Sequence, residues 1–336
     1  MSLHSIGDLA QSFVLQRQNT ELKSQMARLS AELSSGRTEN VTDHLAGNFG
    51  HLADIEHDLV LLDARRGTAT EARTFTAAMQ TALERVQDLA GGLGESAVLT
   101  AAAPGDISLD VTARHARGNL ESIVSALNTD VAGRSLFAGA TVESAALESA
   151  ETLLTAARAA VAGETGAAGV EAALQAFFDD PGGGFETLVY QGANTDLAPY
   201  RLGDGASVEL SLRADAQALR DTLRHTVATA LAGDETLALS KEARRTLVQR
   251  AGEGLLTAAE GLTGLRAGLG FTEARIDQSE SRIAAELTSL EFARSELLAV
   301  DPFETATQLE QVQFQLETLY TLTARSARLN LVNFLS

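Results

Sequence analysis

The sequence predicts a mainly α protein: a long helical hairpin, or coiled-coil rod, built from its N- and C-terminal arms, with a small mixed α/β or β insert in the middle. Three observations carry this. Leucines recur at seven-residue spacing near both ends of the chain. Aromatics make up only 4% of the 336 residues and Trp is absent, while Ala and Leu abound, a composition suited to helices packed on helices. Glycine and proline concentrate mid-chain, where residues 161–216 hold nine of the 28 glycines and two of the four prolines.

The first element is a helix over Ile6 to Ser35. Leu15, Leu22 and Leu29 are spaced by seven, and Met26 and Leu33 each follow one of them by four, which makes an apolar stripe of coiled-coil type. Gly36 is the expected stop, because glycine takes the left-handed position after a helix without steric cost. A second long helix is expected over His51 to Leu93. Its stripe runs through Ile55, Leu59 and Leu62 and then Met79, Leu83, Val86, Ala90 and Leu93, until Gly91-Gly92 and Ala-Pro-Gly-Asp at 103–106 break it. A third helix, Ser108 to Val131, places Leu120, Ile123, Leu127 and Val131 on one side.

Between residues 141 and 233 the pattern changes. Phe185 to Tyr190 reads as a strand, and Val208, Leu210 and Leu212 alternate with polar neighbours after the turn residues Gly203-Asp204-Gly205. Helix returns near Asp234 and, with glycine-rich interruptions at 252–270, runs to Leu298. Ile276, Ile283, Leu290 and Leu297 form its seven-residue seam. Asp301-Pro302-Phe303-Glu304 then starts the last helix afresh, with Asp as cap, Pro at the first helical position and Glu at the third. The last helix carries Leu309, Val312, Leu316 and Leu319 on one face and ends on the apolar tail YTLTARSARLNLVNFLS. The expected parts are terminal helices at 1–42 and 301–336, a helical rod at 43–140 and 234–300, and an inserted outer domain at 141–233.

Charge separates the ends from the rest. Residues 1–42 hold four acids and four bases, and residues 301–336 four acids and two arginines, so −17 of the net −19 lies between them. Low charge density suits a surface packed against many copies of itself, because like-charge repulsion accumulates with each copy. The terminal stripes fit an antiparallel helix pair inside one monomer as well as packing between subunits, and this contrast in charge favours assembly.

The acidic balance disfavours nucleic acid. The start MSLHSIGDLAQSFVLQRQ has no basic segment or apolar core of signal-peptide length, and the longest aliphatic run, Leu59 to Leu62, is far short of a membrane span. Amphipathic insertion of the ends into lipid is a more distant alternative. It is weakened by the scarcity of Lys and Arg in the last helix. Cysteine is absent, which excludes disulfides and thiolate metal sites. His44, His51 and Asp58 share a helix face at spacings of seven, but seven residues rise ~10.5 Å, too far for one ion. No phosphate loop or nucleophile elbow occurs, and Asp179-Asp180 reads as a turn before Pro-Gly. No catalytic constellation emerges, and neither enzymatic activity nor a cofactor is expected.

Four stretches, in order, resemble a known family. LSAELSSGRTENVTDHLAG (29–47) is similar to the N-terminal segment of the bacterial flagellin superfamily, and LEQVQFQLETLYTLTARSARLNLVNFLS (309–336) to its C-terminal helix. GNLESIVSALNTDVAGRSLFAGATVESAAL (118–147) and LRAGLGFTEARIDQSESRI (265–283) resemble the hook-associated protein 3 family of hook–filament junction proteins, the FlgL type. His44-Leu45 departs from that pattern, standing where the family often has Asp-Pro.

The resemblance implies a structural subunit of the bacterial flagellum, joining hook to filament, with flagellin as the alternative identity. It implies export without a cleaved signal peptide and an extracellular location at the hook–filament junction. It also implies partners: further copies in a ring, the first hook-associated protein, flagellin, and an export chaperone on the C-terminal helix. The assembly interface it implies comprises Leu15, Leu22, Met26, Leu29 and Leu33 with Leu309, Val312, Leu316, Leu319, Leu329, Leu331, Phe334 and Leu335.

Overall fold

The computed structural model describes the backbone of residues 4–102, 106–203 and 205–335, and the side chains of 10–102, 107–203 and 205–325. The described residues are dominated by long α-helices, with two small two-stranded sheets. They divide into two compact units, residues 1–63 with 285–336 and residues 64–284.

The first unit contains α1 (His4–Ser35), the short α2 (Val41–His44), the beginning of α3 (Gly50–Ala102), the end of α8 (Lys241–Leu297) and α9 (Pro302–Leu335). Helix α1 stops where expected. Gly36 has φ +69° and its N–H donates to the Glu32 carbonyl at 2.8 Å, closing the last turn in the left-handed geometry that suits glycine. Helix α9 starts where expected too. Asp301 Oδ1 accepts from the amides of Phe303 at 2.8 Å and Glu304 at 3.2 Å, two donors a helix N-terminus otherwise leaves unpaired. Helices α1 and α9 then pack side by side.

The second unit is a helical bundle with small β ribbons. It holds the remainder of α3 and α8, with α4 (Asp106–Leu127), α5 (Ala150–Ala160), α6 (Ala167–Asp179) and α7 (Gln217–Leu231). Helix α7 lies between α4 and α6. Leu83, Val86 and Leu93 of α3, Leu120, Ile123 and Leu127 of α4, Leu223, Val227 and Leu231 of α7, and Leu255 and Leu262 of α8 are all buried.

Several sequence expectations are corrected here. Helix α3 does not break at Gly91-Gly92, and α8 runs uninterrupted through its glycines. Three of the six glycines of α8, Gly252, Gly254 and Gly261, are points of close approach. A Cβ on Gly94 of α3 would stand 3.1 Å from the Gly252 carbonyl of α8. One on Gly252 would stand 3.0 Å from both Ala97 Cβ and the Gly94 carbonyl. On another side of α8, a Cβ on Gly261 would meet Ala218 of α7 at 3.0 Å. The helix propensity lost at each glycine is exchanged for a close crossing. The α3–α8 contact is further fixed by Arg266, whose Nη1 donates to Gln87 Oε1 at 2.8 Å and whose carbonyl accepts from Gln80 Nε2 at 2.9 Å.

Helix α4 ends at Leu127, short of the expected Val131. The chain instead makes a hairpin, β1 (Asp130–Val131) pairing antiparallel with β2 (Arg134–Ser135). Its two-residue loop, Ala132 and Gly133, has φ +53° and +76°, the doubly left-handed turn that matches strand twist. Phe185 to Tyr190 is not a strand. Phe185–Val189 winds as a single π-helical turn, with the Tyr190 amide donating to the Phe185 carbonyl at 2.8 Å. The wide turn sends Phe185, Val189 and Tyr190 inward together while Glu186, Thr187 and Leu188 face out. The inner rings form a run, Phe178 5.4 Å from Phe185 and Phe185 6.4 Å from Tyr190 between centroids.

A ribbon does form on either side of the expected turn, β3 (Tyr200–Gly203) with β4 (Ala206–Val208), while Asp204 lies outside the described residues. The ladder then stops, although Leu210 is also buried. This ribbon and the β1–β2 hairpin dock on α3 through one cluster. Tyr200 packs on Phe75, the Arg134 guanidinium lies 5.0 Å from the Phe75 ring centre, and Arg134 pairs with Glu71. Residues 141–233 are thus mixed in structure, with more helix than the sequence suggests.

Candidate assembly surface

The α1–α9 pair is the candidate site, because the sequence-predicted contact residues converge there. Heptad spacing places each helix's apolar stripe on one side, and the two stripes meet. Leu29, Val312, Leu316 and Leu319 are buried, at 5%, 8%, 5% and 7% exposure, within the single chain. Leu15, Leu22, Met26 and Leu309 are half-buried at the edges of the seam. Leu33 alone among the described predicted residues faces solvent, at 38%. Helix α9 continues through Leu329, Leu331, Phe334 and Leu335, but their side chains lie outside the described residues.

The seam therefore holds the two helices to each other, and a second apolar surface faces outward. Phe13 is 69% exposed, Val14 52%, Phe314 70% and Leu322 54%. Three of these four belong to one feature. Val14, Leu22, Phe314, Leu319 and Leu322 line an open groove of about 760 Å³ between the helices, where Arg17 and Glu21 supply the charge among the described residues. Phe303, at the start of α9, is 83% exposed.

These outward residues were legible in principle. At about 100° per residue, Phe13 sits roughly 160° round α1 from Leu15, and Phe314 roughly 160° round α9 from Val312. A search for the seven-residue stripe discards such positions, since a second apolar face blurs the amphipathic contrast. Exposed apolar surface on a helix pair is a candidate contact surface.

His44, the departure from the family pattern, also has a structural position. Its Nε2–H donates to the carbonyl of Leu297 at 3.1 Å, satisfying one of the acceptors left open at the end of α8. Among the described residues no group of three or more His, Asp or Glu side chains could hold a metal ion. None of the described helices is long and apolar enough to cross a membrane.

Comparison with known proteins supplies a context for this surface. Residues 253–335, most of α8 and all of α9, match the family described as the bacterial flagellin C-terminal helical region. No curated protein matches the chain in sequence. Two solved structures share the fold. One, described as a flagellar hook-associated protein of Vibrio parahaemolyticus, is 12% identical with a TM-score of 0.51, over 73% of this chain and 95% of that one. The other, FlgL of Bacillus cereus, is 15% identical with a TM-score of 0.51, over 71% of this chain and 98% of that one.

Proposed function

We propose that the protein is a structural, non-enzymatic subunit of the bacterial flagellum, and specifically a hook–filament junction protein that assembles as a ring. The observation that carries this reading is the outward apolar strip of the α1–α9 pair, left open after the seam is satisfied. Its α9 half, Phe314 and Leu322, lies in the region matched by the flagellin C-terminal family. A folded subunit gains from such a surface only when neighbours cover it, because each exposed aromatic ring otherwise holds ordered water at a free-energy cost. The near-neutral ends fit the same role, and the acidic remainder faces solvent in the ring.

On this reading Val14, Phe314 and Leu322 contact neighbouring subunits. The seam leucines hold each subunit's two helices in the geometry that presents them. Residues 1–42 and 301–336 form the inner part of the ring, residues 43–140 and 234–300 the rod around it, and residues 141–233 the outer insert. The neighbours are further copies, the first hook-associated protein on one side and flagellin on the other. Before export, a chaperone covers the apolar faces of α9 by offering a complementary groove.

The test is assembly of the purified chain, followed by sedimentation and electron microscopy. A junction protein stays short alone and adds to isolated hook ends. Extended filaments growing from seeds of this chain alone would assign it instead as a filament subunit, and failure to bind hook ends would remove the flagellar reading. Phe314→Asp should prevent addition to hook ends while leaving helix content unchanged.

A further inference from the structure

The two turns that lead into the terminal helices are stapled to each other. The Thr38 amide donates to the Leu298 carbonyl at 2.9 Å, and the Val300 amide donates to the Gly36 carbonyl at 3.1 Å. Together they form an isolated antiparallel bridge between Arg37 and Ala299. His44 adds its bond to Leu297. The exit of α1 and the entry of α9 are therefore a single hydrogen-bonded structure made from segments more than 250 residues apart in sequence.

A buried carboxylate holds one side of this staple. Glu32, in the last turn of α1, is 7% exposed. Its Oε1 accepts from the Glu39 amide at 2.9 Å and from the Thr38 hydroxyl at 3.4 Å. A buried carboxylate is tolerated only where donors replace its lost water, and here the donors are the backbone and side chain of the turn itself. On the other side, the Asp301 carbonyl accepts from the Thr305 amide at 2.9 Å and from its hydroxyl at 2.8 Å, and Thr305 is buried.

We propose that residues 32–44 and 297–305 act as one latch, with Glu32 as its pin, so that the two ends of the chain order and disorder together. The consequence is a coupling of opposite termini in the monomer, independent of what the α1–α9 pair later contacts. Loss of the Glu32 carboxylate frees the turn at 36–40, which releases the acceptor for Val300 and the donor for Leu298. Helix α9 then loses the fixed entry that aims it at α1.

Hydrogen exchange of the full chain, read by peptide mass spectrometry, tests this. Glu32→Ala should raise exchange roughly tenfold at residues 36–40 and, by a similar factor, at 298–302. Glu32→Gln keeps an oxygen acceptor and should stay close to wild type. Glu39→Ala, which leaves that residue's amide in place, should change neither turn. Should Glu32→Ala unfold α1 altogether, Val300→Pro gives the reciprocal reading, since it deletes the donor to Gly36 and constrains only the backbone of the 297–305 side. Faster exchange at 36–40 would then follow from a change in the other turn. Faster exchange confined to the mutated side in both variants would overturn the latch. So would a wild-type chain in which one end is protected and the other exchanges freely.

Discussion

The imidazole of His225 on α7 occupies the space that a Cβ on Gly254 of α8 would need. Glycine at 254 thus makes room for a ring, and the ring gives up its hydration. Burial first, and then the neighbouring Arg224 guanidinium, push the His225 pKa down from 6.5 to about 4, against the opposing pull of Asp221 and Asp179. In the unfolded chain His225 returns to its ordinary value. Between pH 6.5 and 4 the unfolded state therefore binds more protons, and stability falls as pH drops through that window before levelling off below it. The expected loss attributable to this one group is on the order of 3 kcal/mol. His225→Gln should flatten the acid limb of a denaturation series over the same range, and an unchanged limb would assign the acid sensitivity elsewhere.

Two glycines should respond to alanine with opposite signs. Gly139 has φ +63°, and a Cβ there would stand 2.5 Å from the Thr195 carbonyl and 3.0 Å from that of Ala193. Gly139→Ala combines backbone strain with a collision against main chain, and should destabilise by about 2–4 kcal/mol. Gly118 lies in the interior of α4, and a methyl group added to it would meet nothing within 4 Å. Gly118→Ala should stabilise by about 0.5–1 kcal/mol through helix propensity. Chemical denaturation of both variants reads the difference directly.

The seam and the outer strip of the terminal pair should separate by phenotype. Leu316 is buried against α1, so Leu316→Ala should weaken the pair by about 2–4 kcal/mol and expose both terminal helices to protease. Phe314 points away, so Phe314→Ser should leave protease resistance and the thermal transition as they are while reducing association between subunits. Equal loss of protease resistance in both variants would mean that the outer strip, too, belongs to the monomer's packing.

Uncapping α9 should have a local effect. Asp301→Ala removes the acceptor for the Phe303 and Glu304 amides and should cost about 1 kcal/mol, with faster exchange confined to the first turns of α9. Asp301→Asn, which keeps an oxygen in reach, should recover most of it.

Local chemistry and period made much of this protein legible from its residues alone. The stop at Gly36, the cap at Asp301 and the leucine stripes of α1 and α9 depend on interactions within a few residues or on a repeat that a helix must express. Tertiary structure decided the rest. The glycines of α8 read as breaks because propensity penalises them, and only the approach of α3 and α7 reveals why Gly252, Gly254 and Gly261 are there. Phe185 to Tyr190 reads as a strand, and only the aromatic core shows that a wide turn buries Phe185, Val189 and Tyr190 together. The stripes announced that α1 and α9 carry apolar faces, but periodicity does not say which surface fills which. Packing gave Leu316 and Leu319 to the partner helix of the same chain and left Phe314 and Val14 outside, because a helix pair can bury one side of each cylinder and no more.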